Sequence, residues 1–158
     1  MPSNEIKIHG LGELTKRLRA LPVELRKKPA RQALGRAAKV IREQAKANAQ
    51  AVDNTDTGRS IGDNMIQRFR GRHFRKTGDL MISVGVGMEK GPIPKGNPDG
   101  GKGGQTNHWH LLELGREGAP AQPFLRPAAE TAADQALSVF ADGLNKALDK
   151  LAKKKGGK

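Results

Sequence analysis

Residues 111–128 are the most informative stretch of the chain: Leu111-Leu112-Glu113-Leu114-Gly115, then Pro120-Ala121-Gln122-Pro123-Phe124-Leu125-Arg126-Pro127-Ala128. Proline fixes φ near −65° and steers the residue before it out of helix. Pro120 and Pro123 therefore keep the connector extended until Pro127 enters the first turn of a helix. Phe124 and Leu125 are the side chains that anchor this connector in a core. Glu113 sits inside an apolar run, and a buried carboxylate must be paired or lose its charge. The expected partner is an arginine, Arg126 or one from a neighbouring subunit, with Trp109 and Leu112 packing inward beside it.

The length, 158 residues, suits one domain over 1–158 with one core. Apolar residues make up 35% of the chain and aromatics 3%, so that core must be built from Ala, Leu, Ile and Val. Such a core is thin per subunit and leaves room for a partner subunit to complete it. The net charge is +13, and residues 1–50 carry twelve bases against four acids. A field of that sign attracts polyanions and acidic surfaces without bearing on the fold. A solvated helix face with a basic tail accounts for it as well as a nucleic-acid surface does. With no cysteine there is no disulfide framework and no thiolate metal site. No apolar run approaches the ~18 residues needed to cross a bilayer, and residues 1–5 lack a signal-peptide core, so a soluble, cytoplasmic protein is expected.

Alternation over residues 5–9 predicts a short half-buried strand ended by Gly10. Leu11, Leu14, Leu18 and Leu21 recur at helical spacing, and Pro22 closes that helix. Pro29 opens or kinks a second helix whose apolar stripe is Ala30, Ala33, Leu34, Ala37, Ala38, Ile41 and Ala45. Residues 52–58 read as a loop in which Asp56 or Thr57 caps the next element, and Ile61, Met65, Ile66 and Phe69 suggest a short third helix there. Leu80, Ile82, Val84 and Val86 share one face of a strand over 79–87. Residues 88–106, rich in Gly and Pro, form a long flexible loop of the kind that is functional or disordered. Residues 107–115 fit a strand or a helical turn equally. From Pro127 a last helix carries Ala133, Leu137, Phe140, Leu144, Leu148 and Leu151, with residues 152–158 a frayed basic end.

His108, His110 and Glu113 form the only cluster resembling a metal site. As a strand the two histidines share a face, and as a helix His110 and Glu113 do. Neither geometry gathers three ligands, so no metal is expected. Phosphate-binding glycine loops, nucleophile elbows and carboxylate pairs with divergent environments are absent, so neither catalysis nor a cofactor is expected. Asp56-Thr57-Gly58 matches the aspartic-protease triplet but lacks its apolar flanks. Arg68, Arg70, Arg72, Arg75 and Lys76, interleaved with Phe69, His73 and Phe74, form a contact surface for phosphates or acidic groups. The scarcity of aromatics argues against base stacking, and no sequence-reading motif is present.

The Glu-x-Gly run followed by Pro-Phe-Leu-Arg-Pro-Ala resembles the tail-completion, or head-to-tail joining, family of long-tailed bacteriophages. Further elements agree in order: a basic amphipathic helix, the Thr-Gly loop at Asp56-Thr57-Gly58, the Thr77-Gly78-Asp79-Leu80 turn, and a strand ending Val84-Gly85-Val86. The resemblance covers about residues 11–150 and departs at Arg116, where many members carry Thr. It implies an α+β fold with a small antiparallel sheet packed against long amphipathic helices, including a long C-terminal helix. It also implies a virion protein of the tail and neck, a hexameric ring that completes the tail tube and helps join it to the head. The implied partners are copies of the same chain, a tail terminator or tail tube protein, head-tail connector proteins, and DNA in the neck channel, with no membrane. The implied contact surfaces are Asp56, Thr57 and Gly58; Arg68, Arg70 and Arg72; and Trp109, Glu113, Gly115, Pro123, Phe124, Leu125, Arg126 and Pro127. The alternative function is that of a basic nucleic-acid-binding accessory protein.

Overall fold

The apolar stripes of the long helices locate the two cores. The computed structural model describes residues 11–21, 23–53, 60–87 and 106–155. In chain order these form α1 (Leu11–Arg19), α2 (Val23–Val52), a single 3-10 turn (Gly62–Asn64), β1 (Met65–Phe69), α3 (Gly71–Thr77), β2 (Ile82–Val86), α4 (Trp109–Leu114), α5 (Leu125–Thr131) and α6 (Ala133–Lys155). The fold is α+β, with β1 and β2 paired as a two-stranded antiparallel sheet. The strand foreseen over residues 5–9, the loop residues 54–59 and residues 88–105 lie outside the described residues.

Packing divides the chain into two compact units, neither of them contiguous in sequence. The first comprises Met1–Val40, Phe69–Ile82 and Ala133–Lys158. Here α1 lies along α6: Leu14 is buried with Ala33, Leu144 and Leu148, and Leu18, Leu21, Phe140 and Ala141 pack around them. Small alanines on α2 let the helices approach closely, which compensates for the shortage of large side chains. Arg17 fixes the register of α1 on α6 through Asn145 and Asp149, while the Arg26 side chain donates to the carbonyls of Arg19, which ends α1, and of Leu21 just beyond it. This use of Arg26 matters for the helix boundary. Helix α2 begins at Val23, so Pro29 does not open it but lies buried inside its second turn. There proline removes one backbone donor, and its packing in the interior offsets that cost.

The second unit comprises Ile41–Arg68 and Ser83–Ala132. Its core is Ala45, Ala49, Ile61, Met65, Phe124 and Ala128, with Val84, Val86, Trp109, Leu112 and Leu125 packed against it. Phe124 is completely buried, as its place in the proline frame predicts. The third helix suggested by Ile61, Met65, Ile66 and Phe69 is instead a turn leading into β1. Asp53 decides this. Its carboxylate accepts the amides of Ile61 at 2.9 Å and Gly62 at 3.1 Å, and the Ser60 hydroxyl at 3.3 Å, which closes a tight turn before Met65. Met65 is already extended, with ψ 121°, and the residues after it have β2 as a partner; spacing alone cannot separate helix from strand over so short a run. Asp53→Ala should cost about 1–2 kcal/mol, the usual loss for a capping carboxylate. It should appear as a lower urea midpoint at unchanged slope, and an unchanged midpoint would remove this role from Asp53.

The last helix is also two helices. Ala132, at φ −95° and ψ 0°, separates α5 from α6. The Thr131 hydroxyl donates to the Pro127 carbonyl, a back-bond that competes with the helix at that turn.

Candidate functional site

Segment 106–128 resolves the open choice at 107–115 in favour of helix. The Trp109 amide donates to the Thr106 carbonyl, and Thr106, itself buried, accepts at its hydroxyl from the Asn64 carboxamide at 2.9 Å. One face of α4 turns inward with Trp109, Leu112 and Glu113. The other exposes His110, Leu111 and Leu114, with Leu111 39% and Leu114 69% accessible. Gly115 ends the helix at φ 78° and ψ 172°. Residues 116–119 then form a tight reversal in which Arg116 and Ala119 exchange backbone hydrogen bonds. The returning chain is tied down where the Gln122 amide donates to the Leu112 carbonyl at 2.7 Å.

This path brings the start of α5 onto the Glu113 carboxylate. Oε2 accepts the amides of Phe124 at 2.8 Å and Leu125 at 2.9 Å, and Oε1 accepts the amide of Arg126 at 3.0 Å. A helix start leaves its first four amide groups without intrahelical partners. Phe124, at the capping position, has no side-chain oxygen with which to serve them. Glu113 takes the first three, and Pro127, the next residue, has no N–H to satisfy. The negative charge also complements the positive end of the helix. The expected pairing of Glu113 with the side chain of Arg126 is therefore corrected: Arg126 contributes its backbone amide, and its side chain is exposed. The corner is further held by Asn48 of α2, whose carboxamide donates to the Phe124 carbonyl at 3.1 Å.

The histidines and Glu113 do not converge on a metal position. His108 and His110 are exposed while Glu113 is committed to the backbone, and among the described residues no group of three or more His, Asp or Glu side chains stands together. No described helix is long and apolar enough to cross a membrane.

The basic cluster is divided between the units. Arg68 belongs to the second, whereas Arg70, Arg72, Arg75 and Lys76 belong to the first. In the first, Phe69 and Phe74 meet with ring centroids 6.0 Å apart and planes tilted by 50°. Two cations of α2 cover them, Arg31 over Phe69 at 4.1 Å and Lys27 over Phe74 at 5.6 Å. Contacts of this kind stabilise by about 0.5–2 kcal/mol each and hold the end of β1 and α3 against α2. Gly78 caps α3 at φ 80°, with the Thr77 hydroxyl taking the Asp79 amide at 3.1 Å, so the Thr-Gly-Asp-Leu element is a helix stop leading to β2.

A family model described as "Bacteriophage HK97-gp10, putative tail-component" matches residues 12–115. The chain belongs to the HK97-gp10-like family. For this HK97-gp10-like protein the match runs from α1 to the glycine that ends α4, and so includes Glu113 and stops before the proline frame that Glu113 holds. No curated protein and no solved structure matches the chain. Membership places it among phage tail components, which act by contact with other tail or head proteins.

Of the residues singled out from sequence, Asp56, Thr57 and Gly58 lie outside the described residues. Trp109, Glu113, Gly115, Pro123, Phe124, Leu125, Arg126 and Pro127 come together in one corner of the second unit. Sequence reasoning passed over Asn48, Asp53, Thr106, Lys27 and Arg31. Asp53 offered a signal, as an acid at the end of a helical stripe ahead of a polar loop, but Asp56 and Thr57 offered the same one. Asn48 and Thr106 carry no local signal.

Proposed function

We propose that this protein is a non-catalytic structural component of the phage tail and neck, assembling as a hexameric ring that completes the tail tube and helps join it to the head. Its binding partners are then copies of itself, the tail tube or terminator protein, and the connector proteins of the head. Family membership supports the tail assignment. The observation that carries the assembly reading is the apolar outer face of α4, where Leu111 and Leu114 stand one turn apart and exposed on a helix whose inner face is locked by Glu113. Pro120, Ala121 and Pro123 of the connector that follows are exposed as well. A rigid apolar patch loses little conformational freedom on docking, which is what a subunit seam requires.

The test replaces Leu111 and Leu114 together by aspartate. Leu114 is largely exposed and Leu111 about two-fifths exposed, so the double variant should lose about 1–2 kcal/mol and stay folded. Sedimentation velocity over a range of concentrations should show the parent assembling and the double variant remaining monomeric. Negative-stain images of tails made with the double variant should lack the terminal ring. A parent that stays monomeric at every concentration and is absent from finished particles would refute the reading.

A further inference from the structure

We propose that the outward face of α3 is a binding surface for the phosphate backbone of duplex DNA, distinct from the apolar corner and independent of ring formation. Successive helical residues turn by about 100°, so Arg72, Arg75 and Lys76 fall within one arc roughly 100° wide while Phe74 falls nearly opposite. The structure agrees with this division: all three cations are exposed, and Phe74 is partly buried against Phe69 and beneath Lys27. None of the three has an ion-pair partner among the described residues. Over residues 69–82 Asp79 is the only acid against four bases.

Two features select the ligand. Arg31 covers the Phe69 ring and Lys27 the Phe74 ring, so neither phenylalanine is laid open as a platform for unstacked bases, which single-strand binders need. The outward arc of α3 carries no apolar side chain, and protein interfaces draw most of their affinity from apolar or aromatic anchors. Cations on a short, braced helix with neither feature match a regular row of phosphates, which is read by charge and spacing and not by base identity.

The experiment titrates the full chain against a fluorescent DNA duplex of about 20 base pairs and random sequence, by anisotropy between 50 and 200 mM salt. Each neutralised phosphate contributes a slope of about −0.9 in log affinity against log salt, so the three cations together supply about −2.7, or roughly a forty-fold loss across that range. The Arg72→Ala/Arg75→Ala/Lys76→Ala variant should lose that part of the slope, and each single replacement about a third of it. Lys150→Ala/Lys153→Ala/Lys154→Ala, which removes the same charge from exposed positions of α6, should keep it. Circular dichroism should show both triple variants folded. The proposal is overturned if the parent does not bind duplex, if the α6 variant loses as much as the α3 variant, or if a single strand of the same length binds more tightly than the duplex.

Discussion

Glu113→Ala will lower the stability of the second unit by about 4 kcal/mol. The carboxylate is buried and accepts three amides at the start of α5 that have no other acceptor among the described residues. Leaving a buried donor unsatisfied costs about 1–3 kcal/mol. The Phe124 amide lies at a fully buried residue and takes the upper part of that range, whereas Leu125 and Arg126 are partly accessible and recover some hydration. For a chain of this size the expected fall in melting temperature is roughly 8–16 °C. Glu113→Gln separates the roles of the two oxygens. Its carbonyl can still serve Phe124 and Leu125, but its NH2 group would face the Arg126 amide, donor against donor, so about half the loss should remain. Hydrogen exchange supplies an independent check, since protection at Phe124, Leu125 and Arg126 should fall in both variants. A melting temperature within about 1 °C of the parent for Glu113→Ala would show that the carboxylate does not hold the corner.

Gly115→Ala will be nearly as damaging, by about 3–4 kcal/mol. At φ 78° and ψ 172° the backbone occupies a region essentially restricted to glycine, with a cost of about 1–3 kcal/mol for other residues. A Cβ there would also stand 2.9 Å from the Ala121 nitrogen and 3.2 Å from its Cα. These are backbone atoms that cannot swing aside, and moving them displaces the connector that delivers Phe124 to Glu113. Gly118 provides the control. It too has positive φ, 75°, yet a Cβ would meet nothing within 4 Å, so Gly118→Ala should show the conformational cost alone. The two variants should differ by about 2 kcal/mol in denaturant unfolding, in keeping with the steric contact at Gly115. Equal losses would mean that the close approach to Ala121 carries no energy.

These two residues connect stability to assembly. Glu113 and Gly115 set the inner face and the end of α4, and so set where Leu111 and Leu114 are displayed. If the apolar corner is the subunit seam, Glu113→Gln should weaken assembly at temperatures where the chain is still folded. Variants with an intact corner, such as those on α3, should leave assembly unchanged.

The helical stripes of α1, α2 and α6 were legible in the sequence because periodicity over many turns is a local property, and so was the face of β2 that carries Val84 and Val86. Proline chemistry placed Pro127 in a first turn and Phe124 in a core. Family membership was likewise readable, since the order of short motifs survives without any knowledge of packing. Other features depended on neighbours. Residues 65–69 became a strand because Asp53 closes a turn before them and β2 lies beside them, and Val23 could start a helix ahead of Pro29 because burial of that proline offsets a missing hydrogen bond. Glu113 is the sharpest case. Its spacing announced a buried acid that needed a partner, but a carboxylate accepts from a guanidinium or from backbone amides with equal chemical justification. Which one it meets depends on the donors brought within hydrogen-bonding reach, and the folded path through Gly115 and Ala121 brings the amides of α5.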